Sequence, residues 1–263
     1  MNQSSPVLFA PNALQLDKPL IVLLPGLDGT GKLFASQVPS LAKHFDIRCL
    51  SIPESNRQNW DDLAKSVIEL IEDAQRSRLT YVCGESYGGC LALKLAMTAP
   101  EVINRLIVIN PASALRHQTW LRWTTKAAPY VPEWVFNASG TLALPLLANF
   151  DRIDDFQRRL FINTVRPVSQ ACVLWRLAML YDFEASPDRL QKLSIPTALL
   201  ASGRDRLFPS WREVELLQKL LPSSKTYFLP ESGHVCLLEE GVDLVSCLQA
   251  LNFLPMPSSV GRS

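Results

Sequence analysis

Residues 79–96 read LTYVCGESYGGCLALKLA, and this stretch decides the fold. A strand-like apolar run, Leu79–Cys83, leads into Gly84-Glu85-Ser86-Tyr87-Gly88 and then into a helical pattern. In that context G-x-S-x-G predicts a nucleophile elbow, a tight strand-to-helix turn that exposes a serine hydroxyl. Glycines two residues before and after the serine remove side chains that would collide with the neighbouring backbone. The stretch therefore predicts Ser86 as a nucleophile; the alternative is an ordinary tight turn with a capping serine.

Further strand candidates lie on both sides of this stretch. They are short, mostly continuous apolar runs: Leu20–Leu24, Ile47–Ile52, Leu106–Asn110, Thr197–Ala201 and Thr226–Leu229. Helical patterns alternate with them: Asn59–Gln75, Ser86–Thr98, Ser210–Leu221 and Leu237–Leu251. Continuously apolar strands are typical of a parallel sheet that is covered on both faces. The sequence therefore predicts an α/β class fold, a doubly wound, mostly parallel sheet.

The alternation is interrupted between residues 112 and 190, where helical patterns continue without a comparable strand. Four of the six tryptophans lie there, namely Trp120, Trp123, Trp134 and Trp175. We interpret 112–190 as a helical cap inserted into a core formed by 1–111 and 191–254, with 255–263 as a flexible tail. The tryptophans are predicted substrate-binding residues of an apolar pocket. The alternative is that they pack the core of the cap itself.

The nucleophile needs a general base and an acid, in the chain order serine, acid, histidine. The sequence has only three histidines, and His234 alone lies after the last strand candidate and before the last helix. Asp205 follows the strand Thr197–Ala201, whereas the end of the Leu106–Asn110 strand offers no carboxylate. We therefore predict a catalytic triad of Ser86, Asp205 and His234, in which the aspartate orients the imidazole.

The first loop permits two interpretations. Gly26-x-x-x-x-Gly31-Lys32 is nearly a P-loop, but Leu33 stands where a P-loop needs Ser or Thr for magnesium. The hydrolase interpretation instead needs backbone N–H groups aimed at an oxyanion. It assigns the oxyanion hole to the amides of Leu27 and Tyr87. Asp28 is expected to hold the loop through backbone amides and to contact the substrate.

Composition excludes several other classes of protein. The formal net charge is +1, so no basic surface for nucleic acid is indicated. The apolar runs are far shorter than the ~20 residues of a membrane helix, and the N-terminus has no secretory signal pattern. The six cysteines contain no C-x-x-C pair and are predicted to be reduced and buried, in a cytoplasmic protein. We expect no metal and no organic cofactor.

The motifs together resemble the α/β-hydrolase superfamily over nearly the whole chain. LPGLDGTGKLF, FDIRCLSIP, GESYGGCLALKLA, VINPAS and ESGHVCLLEEGVDLV are similar to the hydrolase half of the plastid phytyl ester synthase family and its cyanobacterial relatives. That resemblance implies ester chemistry on lipids or prenyl alcohols. Larger plant members carry a second, acyltransferase-like domain that this sequence does not show, which favours hydrolysis or acyl transfer by the serine alone.

The predicted function is that of a serine hydrolase that cleaves apolar esters, of lipids or prenyl alcohols, through an acyl-enzyme. Two alternatives stay open: an acyltransferase that makes fatty acid esters of phytol-like alcohols, and a non-enzymatic ligand receptor on the same fold. The expected partner is a small apolar ester and not a nucleic acid. Peripheral contact of the cap with a membrane, such as the thylakoid, is left open, as is the oligomeric state.

Overall fold

One sheet forms the centre of the protein. A computed structural model describes residues 4–113 and 144–255, and in these residues seven strands hydrogen-bond into a single sheet. The strands are β1 Val7–Phe9, β2 Leu20–Leu24, β3 Asp46–Ser51, β4 Thr80–Glu85, β5 Arg105–Ile109, β6 Thr197–Ser202 and β7 Ser224–Leu229. Six of them confirm the sequence-based strands, with no end shifted by more than two residues. The edge strand β1 is not predicted from the sequence, because three residues are too few to show a strand pattern.

The strand order is β1-β3-β2-β4-β5-β6-β7. Only β1 runs antiparallel to its neighbour, β3, and every other pair is parallel. After the edge strand β1, the chain enters the middle of the sheet at β2, winds outward to β3, and then crosses back to run from β4 to β7, so the predicted doubly wound, mostly parallel sheet is confirmed. In such a sheet the carboxyl ends of the strands share one edge, where functional loops collect.

Two hydrophobic cores flank the sheet, because successive side chains of a strand point to opposite faces. In β2, Leu20, Val22 and Leu24 belong to one core cluster. Ile21 and Leu23 of the same strand belong to the other cluster. All five side chains are fully buried, which explains why the strand has no polar alternation.

Besides a helical segment at residues 144–147, the described residues contain eight α-helices. They are α1 Val38–Leu41, α2 Trp60–Gln75, α3 Tyr87–Thr98, α4 Asp155–Val165, α5 Gln170–Asp182, α6 Pro187–Leu190, α7 Ser210–Leu220 and α8 Leu244–Ala250. Asn59 caps α2, because its side chain accepts a hydrogen bond from the Asp62 amide.

The predicted helix Leu237–Leu251 is wrong in its first half. Cys236–Leu238 forms a short 3₁₀ turn, and α8 begins only at Leu244. Gly241 has a φ of 79°, a left-handed conformation that interrupts the helix. The side chain of Asp243 then caps α8 by accepting from the Ser246 amide at 3.0 Å.

The insertion is helical where the structure describes it, since α4, α5 and α6 all lie between residues 144 and 190. Trp120, Trp123 and Trp134 lie outside the described residues, as does the tail from 256 onward. The domain boundaries at 111, 190 and 254 therefore stay predictions. No helix within 4–113 or 144–255 has both the length and the apolar character needed to cross a membrane.

Candidate active site

The predicted nucleophile lies on a strained turn between β4 and α3. Ser86 has φ 58° and ψ −115°, a conformation that side-chain-bearing residues rarely adopt. Both predicted glycines are required, since a Cβ at Gly84 would lie 2.0 Å from the carbonyl oxygen of Gly88. A Cβ at Gly88 would lie 2.1 Å from the carbonyl oxygen of Leu24. The turn is held by the neighbouring strand, because the Ser86 amide donates to Ile109 O at 2.9 Å.

The imidazole of His234 lies within hydrogen-bonding distance of this serine. Its Nε2 is 2.8 Å from Ser86 Oγ, although the two residues are far apart in sequence. The ring is 2% exposed and packs edge-on against Phe208, with 5.2 Å between ring centroids. The backbone carbonyl of His234 accepts a hydrogen bond from Asn110 Nδ2 at 2.7 Å. Both the ring and the backbone of His234 are therefore fixed in place.

Asp205 completes the chain of hydrogen bonds from the loop after β6. Its Oδ2 is 2.7 Å from His234 Nδ1 and also accepts from the hydroxyl of Ser210. Its Oδ1 accepts from two backbone amides, those of Leu207 and Phe208, at 2.9 Å each. Burial disfavours ionisation, but the hydrogen bonds from the imidazole, the hydroxyl and the backbone outweigh it and lower the pKa of Asp205. The structure thus brings together all three residues of the predicted triad.

The first loop, residues 25–31, lines the same cavity as Ser86. Gly29 N donates to Gly26 O at 3.0 Å, which closes a tight turn around Leu27 and Asp28. Among the described residues, the backbone amides of Leu27 and Tyr87 donate to no protein acceptor. The Tyr87 amide is in the first turn of α3, where helical amides have no partner of their own. The predicted oxyanion hole requires amides without a protein acceptor, and its assignment to Leu27 and Tyr87 stays a prediction.

A cavity of about 270 Å³ adjoins the serine and is lined mainly by apolar side chains. Its apolar lining comes from both the sheet-edge loops and the insertion: Pro25, Leu27, Leu33, Phe34, Leu147, Phe161, Val165, Val168, Val173, Leu177, Leu180, Leu207, Phe208 and Val235. Its polar lining consists of Asp28, Glu85, Ser86 and His234. No lysine or arginine is found among the lining residues that the structure describes.

Of the predicted substrate-binding residues that the structure describes, Asp28 lines the cavity and Trp175 does not. Asp28 lines the cavity and also holds its own loop, since Oδ2 accepts from the amide of Thr30 at 2.7 Å. Burial raises the pKa of Asp28, although Thr30 and the charge of Arg176 oppose this effect. Trp175 packs against the larger core cluster and is absent from the described lining. It lies on α5 beside Val173 and Leu177, which face the cavity, so this cavity does not support the predicted contact of Trp175 with substrate.

Two buried residues of this region, Glu85 and Arg176, were assigned no role from the sequence. Glu85, directly before the nucleophile, is 6% exposed, and burial raises its pKa to about 7 although the charge of His234 opposes the shift. Arg176 of α5 is 2% exposed and bonds backbone carbonyls of the core. The only sequence signal for Glu85 was its place inside the serine motif, and Arg176 has none.

Other expectations concern cysteines and metal ligands. All six cysteines are buried with free thiols, as predicted. In residues 4–113 and 144–255 no group of three or more His, Cys, Asp or Glu side chains is arranged to hold a metal ion.

Comparison with known proteins gives a family and several relatives. A family model described as alpha/beta hydrolase fold matches residues 19–241. The chain is 28% identical to phytyl ester synthase 1, chloroplastic, of Arabidopsis thaliana, over 89% of this chain and 37% of that protein. It therefore spans little more than a third of that relative's length. It is 26% identical to the pimeloyl-[acyl-carrier protein] methyl ester esterase of Nitrosomonas europaea, over 89% of this chain and 95% of the esterase.

Solved structures show the same fold. MenH from S. aureus superposes with a TM-score of 0.76 at 16% sequence identity, covering 95% of this chain and 97% of MenH. At that identity the similarity concerns the fold alone.

Proposed function

Because this chain belongs to the alpha/beta hydrolase fold family, whose members include enzymes named as esterases and hydrolases, we propose that it is a serine esterase acting on apolar carboxylic esters. One observation carries the proposal: a serine, a histidine and an aspartate are hydrogen-bonded in series beside an apolar cavity. The low pKa of Asp205 keeps its carboxylate ionised, which favours the imidazole tautomer that accepts a proton at Nε2.

The first half of the reaction forms an acyl-enzyme. Ser86 Oγ attacks the ester carbonyl carbon while its proton passes to His234 Nε2. The carbonyl oxygen becomes an oxyanion and receives hydrogen bonds from the amides of Leu27 and Tyr87, each worth about 3 kcal/mol in the transition state. The bond to the leaving alcohol then breaks, and His234 gives the proton to the alcohol oxygen.

The second half returns the enzyme to its starting state. Water attacks the acyl carbon while His234 Nε2 takes one of its protons. Collapse of the second tetrahedral intermediate breaks the bond to Ser86 Oγ, which recovers its proton from the imidazole. The products are a carboxylic acid and an alcohol.

The lining of the cavity supports an apolar, uncharged substrate. Fourteen of its residues are apolar, and two buried carboxyl groups, those of Asp28 and Glu85, face the same space. An anionic acyl group would meet these carboxyls, and no described residue of the cavity lining is a lysine or arginine that could pair with it. A hydrocarbon chain gains about 0.8 kcal/mol for each methylene it buries.

Acyl transfer is the second candidate function. The relative named phytyl ester synthase 1 favours it, because an ester synthase must deliver its acyl group to an alcohol. In the same site an apolar alcohol would replace water in the second half of the reaction. Product analysis with and without an added long-chain alcohol separates the two: a transferase forms new ester, whereas an esterase forms only acid.

Serine labelling tests the nucleophile. A fluorophosphonate probe should label the wild type at Ser86 and should not label Ser86→Ala. The variant should lose turnover and keep its circular dichroism spectrum. Turnover retained by Ser86→Ala would refute the proposal, and absence of labelling in the wild type would favour a ligand-binding protein without catalysis.

A series of esters of increasing acyl length tests the substrate class. We expect kcat/KM to rise about fourfold per methylene until the cavity is filled, which is 0.8 kcal/mol expressed as a rate. Leu177→Phe, which narrows the cavity, should lower the rate of the longest esters most. Leu216→Phe is the control because Leu216 is 55% exposed and does not line the cavity. A preference for two-carbon acyl groups in the wild type would contradict an apolar site.

The sequence also predicts a cytoplasmic location and leaves open a peripheral membrane contact of the cap. We propose a cytoplasmic location, and the membrane contact of the cap is a possibility to be tested. Flotation of the purified protein with vesicles would test the membrane contact directly.

A further inference from the structure

Arg176 joins the helical insertion to the loop that carries one of the proposed oxyanion donors. We propose that it is a positioning residue, which holds the Leu27 amide in its donor orientation and couples the insertion to catalysis. The inference rests on the proposed esterase function.

The guanidinium of Arg176 reaches from α5 into the core and binds backbone carbonyls on two separate loops. Nη1 donates to Leu27 O at 2.6 Å, in the loop after β2. Nη2 donates to Ile52 O at 2.8 Å and to Pro53 O at 3.4 Å, both after β3. The planar fork of arginine can satisfy carbonyls in several directions at once, whereas a lysine ammonium is a single point. One side chain of the insertion therefore holds two loops of the core.

These bonds bear directly on the Leu27 amide. Two peptide planes meet at the Cα of Leu27. The first contains the Leu27 N–H together with the Gly26 carbonyl, and the Gly29 amide fixes it by donating to that carbonyl at 3.0 Å. The second contains the Leu27 carbonyl, and Arg176 fixes it. With both planes held, the N–H can point in only one direction.

The loop is shaped to receive the guanidinium. Gly29 has a φ of 72°, and a Cβ there would lie 2.4 Å from Nη1 and 2.6 Å from Cζ of Arg176. Only glycine leaves room for this contact. The Gly29 carbonyl accepts from the Ile52 amide at 2.7 Å, so the two loops that Arg176 bridges also bind each other.

The charge of Arg176 adds an electrostatic contribution. Burial raises the pKa of Asp28, the residue after Leu27, and the charge of Arg176 opposes this rise. A buried positive charge next to the loop also favours the negative charge that develops on the substrate oxygen. Arg176 does not line the cavity beside Ser86, so it acts by holding the loop and by its charge at a distance, and not by contact with a reacting atom.

The contact between α5 and the core is reinforced nearby. The indole nitrogen of Trp60 on α2 donates to Met179 O at 2.6 Å, and the Ser169 amide, before α5, donates to Glu54 Oε2 at 3.1 Å. These bonds hold the helix, so losing the arginine fork should loosen the loop more than the helix. That difference separates a positioning role from a role in packing.

The test compares Arg176→Lys and Arg176→Met with the wild type and with Arg166→Met. Arg166 also lies in the insertion, after α4, and its side chain is exposed. Active sites are counted by fluorophosphonate labelling, so that unfolded protein does not enter kcat. We expect kcat about 10- to 100-fold lower in the Arg176 variants, less than the loss caused by removing an oxyanion donor altogether, with KM within threefold. Arg166→Met should match the wild type.

Two further measurements separate positioning from stability. The inhibition constant of an alkyl boronic acid, which forms a tetrahedral adduct on the serine, should rise in step with the fall in kcat. Inhibition by the matching carboxylic acid product should be unchanged. Hydrogen–deuterium exchange should be faster in a peptide covering residues 25–31 and unchanged in one covering residues 170–182.

Unchanged kcat per labelled site, or unchanged exchange in residues 25–31, would overturn the role of Arg176. If Arg176→Met does not fold, Arg176→Lys decides, since it keeps the charge and loses only the fork. Wild-type protein without ester turnover or labelling would instead refute the esterase proposal. The exchange comparison would then still show whether Arg176 holds the loop.

Discussion

Glu85, the residue before the proposed nucleophile, is a carboxyl group in a poor environment for charge. Its side chain is 6% exposed, and the described groups that favour its ionised form are few. The backbone amide of Leu237 donates to it, the thiol of Cys236 lies 3.9 Å from Oε1, and the charge of His234 opposes the effect of burial. Burial outweighs these and raises the pKa to about 7. We predict that Glu85→Gln changes how stability depends on pH.

The magnitude follows from the difference between the folded and unfolded pKa values. With about 7 in the folded state and 4.5 as the ordinary value, the shift corresponds to about 3 kcal/mol. Between these two values the folded protein holds the proton and the unfolded chain releases it. The contribution of Glu85 to the free energy of unfolding is therefore largest below pH 4.5, falls as the pH rises, and is lost above pH 7.

Glutamine has the same shape and no proton to release. The free energy of unfolding of Glu85→Gln minus that of the wild type should therefore increase by about 3 kcal/mol from pH 4.5 to pH 8. A lost or unsatisfied hydrogen bond of the new amide would shift this difference by a constant amount, so the slope is the quantity to measure. Urea unfolding followed by tryptophan fluorescence, at intervals of half a pH unit, gives it directly.

Glu101→Gln serves as the matched control, because Glu101 is exposed and the substitution is chemically the same. Its difference from the wild type should be nearly independent of pH. A Glu85→Gln difference that also stays constant from pH 4.5 to pH 8 would show that Glu85 ionises normally in the folded protein. The reasoning from burial would then be wrong.

Three further predictions concern the turn and the acid. Gly88→Ala should prevent folding or expression, because the new Cβ would lie 2.1 Å from the backbone oxygen of Leu24. Gly89→Ala is the control and should fold, because its Cβ would have no neighbour nearer than 3.2 Å. Equal thermal stability of the two variants would contradict the close approach at Gly88. Asp205→Asn should lower kcat by about 10⁴-fold with the fold retained, and a loss below tenfold would remove it from the triad. Ser210→Ala should raise the pKa of Asp205, because the Ser210 hydroxyl donates to this carboxylate and helps to lower its pKa; an NMR titration of the carboxyl carbon measures this, and an unchanged pKa would show that the hydroxyl does not influence this carboxyl.

Much of the fold and of the candidate triad could be predicted from the sequence because the signals are local or topological. The turn at Ser86 is specified by glycines only two residues away, whose absence of a Cβ is a steric requirement. Asp205 and His234 come from distant segments, but both follow parallel strands, and the carboxyl ends of parallel strands share one edge. The proximity of these two residues could therefore be predicted from the topology of the sheet, without knowledge of any contact between them.

Arg176 and Glu85 were not predicted as buried residues, because segments distant in sequence bury them and hydrophobic periodicity does not reveal this. Arg176 lies on α5, and its partner Leu27 is 149 positions away in sequence. An arginine in a helix ordinarily indicates a solvated face, and nothing in its neighbours indicates that its fork enters the core. The same holds for Glu85, whose environment is set by the segment around Cys236, far along the chain.

Asn110 gives a structural reason to look for the acid elsewhere than at the end of β5. The end of β5 was excluded as a source of the triad acid because it offers an asparagine. In the structure this side chain uses both of its polar atoms: Nδ2 donates to Ser202 Oγ at 2.8 Å and to the His234 carbonyl at 2.7 Å, while Oδ1 accepts from the Ser202 amide at 2.8 Å. A carboxylate at this position could accept but not donate, so it would face the His234 carbonyl without a bond. The end of β5 therefore holds the backbone of the histidine while the loop after β6 orients its ring, and this division favours Asp205 as the acid of the proposed triad.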